Sequence, residues 1–395
     1  MRENCKSYMQ GLMVTILLVG VLNACQAEQQ ENQQNLIDYH ELPEINFIQI
    51  REIGENENFL PGKLNDLLVF GNGDLIVTDV SKKTIEQFNA DGKYMGAVAR
   101  EGKGPGDLHF FFEIFATDDE AFGVWTNSNR QLDFFRVGQN GIYTYQGSKT
   151  SDVNLSRRFD IIGTHTESNF LVITGQTDAD YISVNIPEYR FSPVAVADEN
   201  LSIVRDSLHM IKYPNYIFAN STEYSSAVTI GNSNLALLGI PPYRYRDRIV
   251  LLNNGTYMIA RPDSSMLWVY SSNHEIVEQI PLKVKARNVK KADLDHAFRN
   301  NDLTKQPKVR KKLASYVEEK KPPFLNIWAS GDYILLQTDV TEGGKEMVIL
   351  TMGGKPLGKF ILPEYDEIKQ FTDDYLYAIN KDPMGHRIRV YQLLL

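Results

Sequence analysis

The chain has 395 residues, and its 41 Lys and Arg against 50 Asp and Glu give a formal net charge of -9. This balance argues against general nucleic-acid binding, because phosphates would be repelled in the absence of a basic face. The length is ample for burying a large hydrophobic core.

The N-terminus has the pattern of a secretion signal. Arg2 and Lys6 precede the apolar run "GLMVTILLVGVL", which is too short to span a bilayer but suits a signal-peptide core. The run ends in "LNAC", which resembles the lipobox of bacterial lipoproteins, where small residues admit the signal peptidase and the cysteine thiol is lipidated. We therefore expect residues 1–24 to be a signal peptide and Cys25 to carry lipid. The alternative is ordinary secretion with an incidental cysteine.

Cys5 would be removed with the signal peptide, so the mature protein would contain no disulfide framework. The polar stretch "QAEQQENQQN" follows Cys25 and predicts a flexible tether over residues 25–44. A diacylglyceryl group plus an amide-linked chain gives stable anchoring. We expect a cell-envelope protein anchored in the outer membrane, facing the periplasm or the surface.

Beyond residue 45 a hairpin pattern recurs, with an apolar strand, a short polar or glycine turn and a second strand. The clear copies begin at Thr84, Gln131, Met266 and Glu346, and a shorter one begins at Pro193. Two candidate inner strands precede each hairpin. A last copy, "HRIRVYQLLL", stops after one strand.

That missing strand predicts ring closure. An unpaired outermost strand would be an aggregation-prone edge, and "EINFIQIREI" at the other end of the chain could cover it. We predict that Ile45–Ile53 pairs with Arg387–Leu393, which gives an all-β fold, a six-bladed β-propeller over residues 45–395. The extra strands in "SSAVTIGNSNLALLGIPPYRYRDR" could be counted as a seventh blade.

These features resemble the six-bladed, TolB-like or NHL-like propeller lipoproteins of Gram-negative bacteria. The likeness rests on the lipobox, on "LIVTDVSKKTIEQFNADGKYMGAV" and on the "GKGPGDL" that follows it. The resemblance implies a loop face that binds partners. For some NHL-like propellers it also implies a channel-mouth enzyme.

The stretch "REGKGPGDL", residues 100–108, is rich in glycine but lacks the order of a dinucleotide or Walker loop. We interpret it as the sharp turn between the first two blades, with glycines supplying positive φ. Lys103 and Asp107 are candidate ligand contacts within it.

One segment, residues 288–323, predicts a helical insertion. Leu294, Ala297 and Phe298, and then Val309, Leu313 and Val317, have helical spacing, and Pro322-Pro323 would stop the second helix. It carries a basic cluster that comprises Lys308, Arg310, Lys311 and Lys312 together with Lys290 and Lys291. They form either a solvated helix face or a docking surface for an anionic glycan, a lipid headgroup or a partner.

No catalytic motif is present. The scattered histidines lack metal-ligand spacing, and neither HExxH nor G-x-S-x-G occurs. Asp79, Asp263 and Asp339 end comparable second strands and could ring the channel mouth, although aspartate there commonly caps the turn. Arg130 and Arg261 are the next candidates for ligand binding.

We therefore expect a monomeric, non-catalytic module that binds a glycan, peptide or protein partner, and no nucleic acid. The alternative is a metal-dependent hydrolase or lyase at the channel mouth. No cofactor is predicted, although a divalent cation such as calcium could be held by carboxylates from several blades.

Overall fold

The computed structural model describes residues 36–55, 58–108, 112–126, 130–151, 157–166, 169–176, 189–220, 228–229, 235–299, 302–372 and 374–395. The predicted signal peptide, Cys25 and His109 lie outside these residues. Among the helices of the described residues, none has the length and apolar character needed to cross a membrane.

Within the described residues the strands form six four-stranded antiparallel sheets and one three-stranded sheet. Blade 1 contains β2 (Leu64–Val69), β3 (Leu75–Asp79), β4 (Thr84–Phe88) and β5 (Tyr94–Arg100). Blade 2 contains β6 (Phe112–Asp118), β7 (Ala121–Thr126), β8 (Gln131–Val137) and β9 (Tyr143–Thr150). Blade 3 contains β10 (Arg157–Thr166), β11 (Asn169–Gln176), β12 (Tyr189–Asp198) and β13 (Ile203–Pro214).

The second half of the ring repeats this plan. Blade 4 contains β17 (Arg248–Leu251), β18 (Tyr257–Arg261), β19 (Met266–Tyr270) and β20 (Ile276–Pro281). Blade 5 contains β21 (Asn326–Ser330), β22 (Tyr333–Thr341), β23 (Gly344–Thr351) and β24 (Pro356–Leu362). Blade 6 contains β25 (Asp366–Phe371), β26 (Tyr375–Asp382), β27 (Gly385–Leu393) and, from the other end of the chain, β1 (Phe47–Ile53).

The predicted hairpins are confirmed as the outer strand pairs of blades 1 to 5. The inner strands contact one another in the order β2, β6, β10, β17, β21 and β25, and β25 contacts β2, so the ring is closed. The N-terminal strand completes blade 6, with Phe47 opposite Leu393 and Ile53 opposite Ile388. The predicted six-bladed propeller and its closure by β1 are confirmed.

The extra strands do not make a seventh blade. β14 (Ile217–Asn220), β15 (Val228–Thr229) and β16 (Leu235–Gly239) form the three-stranded sheet, which lies in the connection between blades 3 and 4. Its side chains pack against the helical insertion rather than between two blades, because Ile217 and Leu238 share one buried cluster with Phe298.

The helical insertion is confirmed, but its second helix is shorter than predicted. Helix α1 (Lys291–Ala297) and helix α2 (Pro307–Ala314) flank a 3-10 turn, Asp302–Lys305. Val309 and Leu313 are buried as expected. Val317 lies beyond the end of α2, so the helix ends well before Pro322-Pro323.

The last part of the predicted tether is packed on the propeller. Tyr39 is only 3% exposed and belongs to the core cluster of blades 4 and 5. Ile37 forms a parallel bridge with Val284, and Glu44 forms one with Lys359. Residues 36–44 are therefore held by side-chain burial and backbone hydrogen bonds.

Candidate functional site

The topology gathers two kinds of loop at one end of the ring. Strands alternate in direction within each blade, so turns between second and third strands lie at the same end as connections between blades. We call this end the loop face. It carries both insertions, namely the three-stranded sheet and the helices, and all seven candidate ligand-binding residues.

The carboxylate of Asp79, the last residue of β3, is occupied by hydrogen bonds from neighbouring loop residues. This buried carboxylate accepts hydrogen bonds from the backbone N–H groups of Gly62 at 2.6 Å and Lys63 at 3.1 Å, and from the Ser81 hydroxyl at 2.8 Å. This is the capping role that was the alternative to ligand binding.

The loop 100–108 is closed by its own backbone. Leu108 N–H donates to the Arg100 carbonyl at 2.8 Å, and Gly104 N–H donates to the Asp107 carboxylate at 2.6 Å. Gly106 has φ +78, and a Cβ there would lie 2.8 Å from the Tyr145 ring. Asp107 therefore stabilises the turn, while Lys103 is exposed beside it.

The remaining candidates lie on separate blades. Arg130 has φ +53 in the turn of blade 2, and its carbonyl accepts from Ser151 N–H at 3.0 Å. The Arg261 guanidinium lies 6.0 Å from the centre of the Trp268 ring. Asp263, on the adjacent turn, is half exposed and lies 3.4 Å from the ammonium of Lys212.

Asp339 belongs to a buried ionic network that fixes the insertion to blade 5. Its carboxylate accepts from Lys321 Nζ at 2.6 Å, and the Arg287 guanidinium lies 3.4 Å away. Arg287 also reaches Glu346 at 3.2 Å. Burial would raise the pKa of Glu346, but hydrogen bonds from His40 and Thr338 and the Arg287 charge hold it below its usual value. Asp293 joins the network as well, 2.8 Å from Lys321 Nζ. Each buried charge therefore has a partner of opposite sign within the fold, which suits a structural role.

A different set of residues forms a pocket of about 320 Å³ on the loop face. Glu113 and Asp160 lie near the starts of inner strands β6 and β10, and Arg246 lies just before inner strand β17. We call this the axis pocket after these inner-strand positions, and its lining extends across blade 3 to Tyr213 on outer strand β13. Its lining comprises Glu113, Asp160, Ile173, Thr174, Gly175, Arg190, Ser192, Tyr213, Pro214, Tyr216, Ile240 and Arg246.

The axis pocket concentrates guanidinium groups around an aromatic ring. The Arg246 guanidinium lies 4.8 Å and that of Arg190 5.8 Å from the centre of the Tyr213 ring. Behind them, Arg248 donates to the Leu325 carbonyl at 2.8 Å. Burial and the neighbouring Arg246 lower the pKa of Arg248 to about 10, so it stays protonated at neutral pH. Of the charged residues that line the pocket itself, two are arginines, Arg190 and Arg246, and two are carboxylates, Glu113 and Asp160.

None of the seven predicted residues lines the axis pocket; Asp263 and Asp339 line two neighbouring pockets of the loop face instead. The structure thus does not bring the seven together.

A sequence feature that points to the pocket is "YRYRDR", residues 243–248, where aromatic residues and arginines alternate. The structure separates two of its arginines, since Arg246 lines the pocket while Arg244 donates to the Tyr316 carbonyl of the insertion at 2.7 Å.

A histidine cluster lies at the opposite face, between blades 3 and 4. The Tyr257 hydroxyl is 2.7 Å from His209 Nε2 and 3.2 Å from His274 Nδ1, and the His165 ring stacks on His274. Burial, with the Arg261 charge, lowers the pKa of His209 to about 4, and burial and nearby charges do the same for His274. Among the residues that the structure describes, no group of three or more His, Cys, Asp or Glu could hold a metal ion.

Comparison with protein-family models gives no match, and comparison with curated proteins gives none either. Solved structures do resemble this chain. A protein of Bacteroides fragilis described as exported is 10% identical, with a TM-score of 0.47, over 91% of this chain and 97% of that one. A DUF4221 family member from Bacteroides vulgatus is 11% identical, with a TM-score of 0.45, over 90% and 99%.

BamB from Moraxella catarrhalis is 9% identical, with a TM-score of 0.35, over 89% of this chain and 99% of its own. At these identities and scores the likenesses carry no argument about function. The sheet order of this chain itself establishes the propeller.

Proposed function

We propose that this protein is a cell-envelope lipoprotein whose propeller is a non-catalytic binding module, and that the axis pocket receives an acidic glycan segment. The axis pocket carries the proposal, because it joins the exposed guanidinium group of Arg246 to hydrogen-bonding side chains and an exposed aromatic ring. The N-terminal signal pattern and the lipobox ending at Cys25 support the anchored location.

The pocket chemistry fits a sugar with a carboxylate. Guanidinium groups bind carboxylates through paired, charge-assisted hydrogen bonds. The Ser192 hydroxyl offers a hydrogen-bond partner for a sugar hydroxyl. Tyr216 is 38% exposed and offers a ring face for the apolar side of a sugar. The volume is at the lower end of ligand pockets and suits one or two sugar rings.

Calorimetric titration with tri-galacturonate, and with the neutral galactose trimer as comparison, tests the proposal. We expect binding of the acidic trimer alone. Arg246→Gln should weaken it about 10- to 100-fold, because a hydrogen bond to a charged group contributes about 1.5 to 3 kcal/mol.

The matched control is Arg136→Gln, which removes an exposed guanidinium that pairs with Asp118 on the opposite face. Equal affinity for both trimers, or equal losses in both variants, would contradict the assignment of the pocket. Binding of acidic peptides alone would replace the glycan with a peptide ligand, and cleavage of the trimer would favour an enzyme.

A further inference from the structure

The N-terminal segment enters the fold beside the most basic part of the chain. Ile37 N–H donates to the Lys283 carbonyl at 2.8 Å, and Lys285 N–H donates to the Ile37 carbonyl at 2.9 Å. Asp38 lies 3.5 Å from the ammonium of Lys285. The chain is therefore fixed to the loop face at the root of the helical insertion.

The connection from this point to the anchor is short. Residues 26–36 separate Cys25 from Ile37, and even a fully extended chain of that length spans no more than about 40 Å. On the proposed function, which places lipid on Cys25, this distance limits how far the insertion can lie from the membrane.

The insertion has the opposite charge to the rest of the protein. Residues 283–321 contain thirteen Lys and Arg and five Asp and Glu, whereas the whole chain carries -9. Three of those acids are already paired, since Asp295 contacts Arg310, Asp293 lies 2.8 Å from Lys321 and Glu318 lies 3.4 Å from Arg244. Three of its cations face acids outside the segment, since Lys285 lies 3.5 Å from Asp38, Arg287 3.2 Å from Glu346 and Lys321 2.6 Å from Asp339. With these three acids counted, the segment keeps a formal excess of five positive charges.

The helices direct part of this charge to solvent. On α2, Val309 and Leu313 face the buried cluster, while Lys308 and Lys311 lie on the other side of the helix and are exposed. Lys290 and Lys291, at the start of α1, are exposed as well. We call these four lysines the basic insertion surface.

We propose that the basic insertion surface docks on the anionic lipid headgroups of the membrane that holds Cys25. Lysines near such a surface contribute about 1 kcal/mol each, and the short connection makes this second attachment intramolecular. Docking would orient the loop face, with the axis pocket, toward the membrane.

Vesicle co-sedimentation of a chain starting at Gln26 tests the surface without any lipid on the protein. All described secondary structure follows residue 36, and circular dichroism checks that this chain is folded. Vesicles of phosphatidylcholine with 30% phosphatidylglycerol are compared with phosphatidylcholine alone. We expect binding to the anionic vesicles only, weakening as salt shortens the Debye length.

The double variant Lys308→Gln/Lys311→Gln should bind anionic vesicles about 25-fold more weakly. Its matched control is Lys93→Gln/Lys355→Gln, which removes two exposed lysines from the opposite face. Within the described part of the chain, none of these four lysines forms an ion pair. Equal binding by the two variants would overturn the proposal.

A second readout reports orientation. Both cysteines precede Gln26, so a single dye can be attached after Ser315→Cys, at the end of α2, or after Gln139→Cys, on the opposite face. We expect a blue shift with anionic vesicles at position 315 alone. Equal shifts at both sites, or preference for an anionic polysaccharide over vesicles, would refute membrane docking. Cell fractionation of the Cys25→Ala variant tests lipidation separately. If this variant fractionates like the parent chain, the lipid anchor is wrong whatever the vesicle experiments show.

Discussion

Truncating Ile53 measures how strongly β1 closes the ring. Ile53 is 5% exposed and shares a buried cluster with Ile379 and Ile388 of blade 6 and with Leu64 and Phe88 of blade 1. It therefore joins the first blade to the last. Replacing a buried isoleucine with alanine costs about 2 to 5 kcal/mol, and we expect about 3 kcal/mol for Ile53→Ala.

This cost converts into a modest change in melting temperature. An unfolding entropy of about 2.1 cal/mol/K per residue gives roughly 0.7 kcal/mol/K for a fold of this size, so Tm should fall by about 4 °C. Differential scanning fluorimetry and urea denaturation, followed by tryptophan fluorescence, both measure the change.

Ile48→Ala is the matched control, because Ile48 lies on the same strand and is 47% exposed. An exposed side chain of this kind changes stability by no more than about 0.5 kcal/mol. If the two variants melt at the same temperature, or if Ile53→Ala changes stability by under about 0.5 kcal/mol, β1 does not close the ring as described.

Three further outcomes are expected. Cys25→Ala should convert a membrane-associated chain into an uncleaved or soluble form, and fractionation identical to the parent would refute lipidation. Gly106→Ala should destabilise by about 1 to 2 kcal/mol more than Gly141→Ala, because both have positive φ but only Gly106 adjoins the Tyr145 ring; equal melting would show that the turn tolerates a Cβ. The folded state keeps His209 neutral with a pKa of about 4, whereas the unfolded chain protonates it below about 6.5, so stability should fall as pH drops from 6.5 to 4. His209→Gln should reduce the loss between pH 7 and pH 5 by about 1 kcal/mol after allowance for solvent screening, and an unchanged pH profile in urea titrations would contradict this.

The fold was predictable because its rules are local and repeated. Each outer hairpin carries its own turn chemistry and alternation, as the copies starting at Thr84 and Gln131 show. The unpaired strand at His386 required a partner, and only the N-terminal segment was available to supply one. Val317 was misassigned because helical spacing continues past the point where the backbone leaves the helix.

The candidate site was less predictable, because it depends on which loops meet across the ring. Asp79 and Asp107 have the composition of ligand contacts, yet the adjacent backbone N–H groups occupy their carboxylates. Glu113 and Arg246 are far apart in sequence and carry no shared motif, but the packing of blades 2, 3 and 4 brings them to one pocket.

The sequence by itself therefore determined the hairpin repeat, the closure of the last blade by the N-terminal strand and the location of the helical insertion. Only the tertiary structure decided which charges are neutralised within the fold and which remain exposed around the axis pocket and on helix α2. The physical reason is range: turn formation and strand alternation act between near neighbours, whereas ion pairing and burial depend on residues that closure alone brings together.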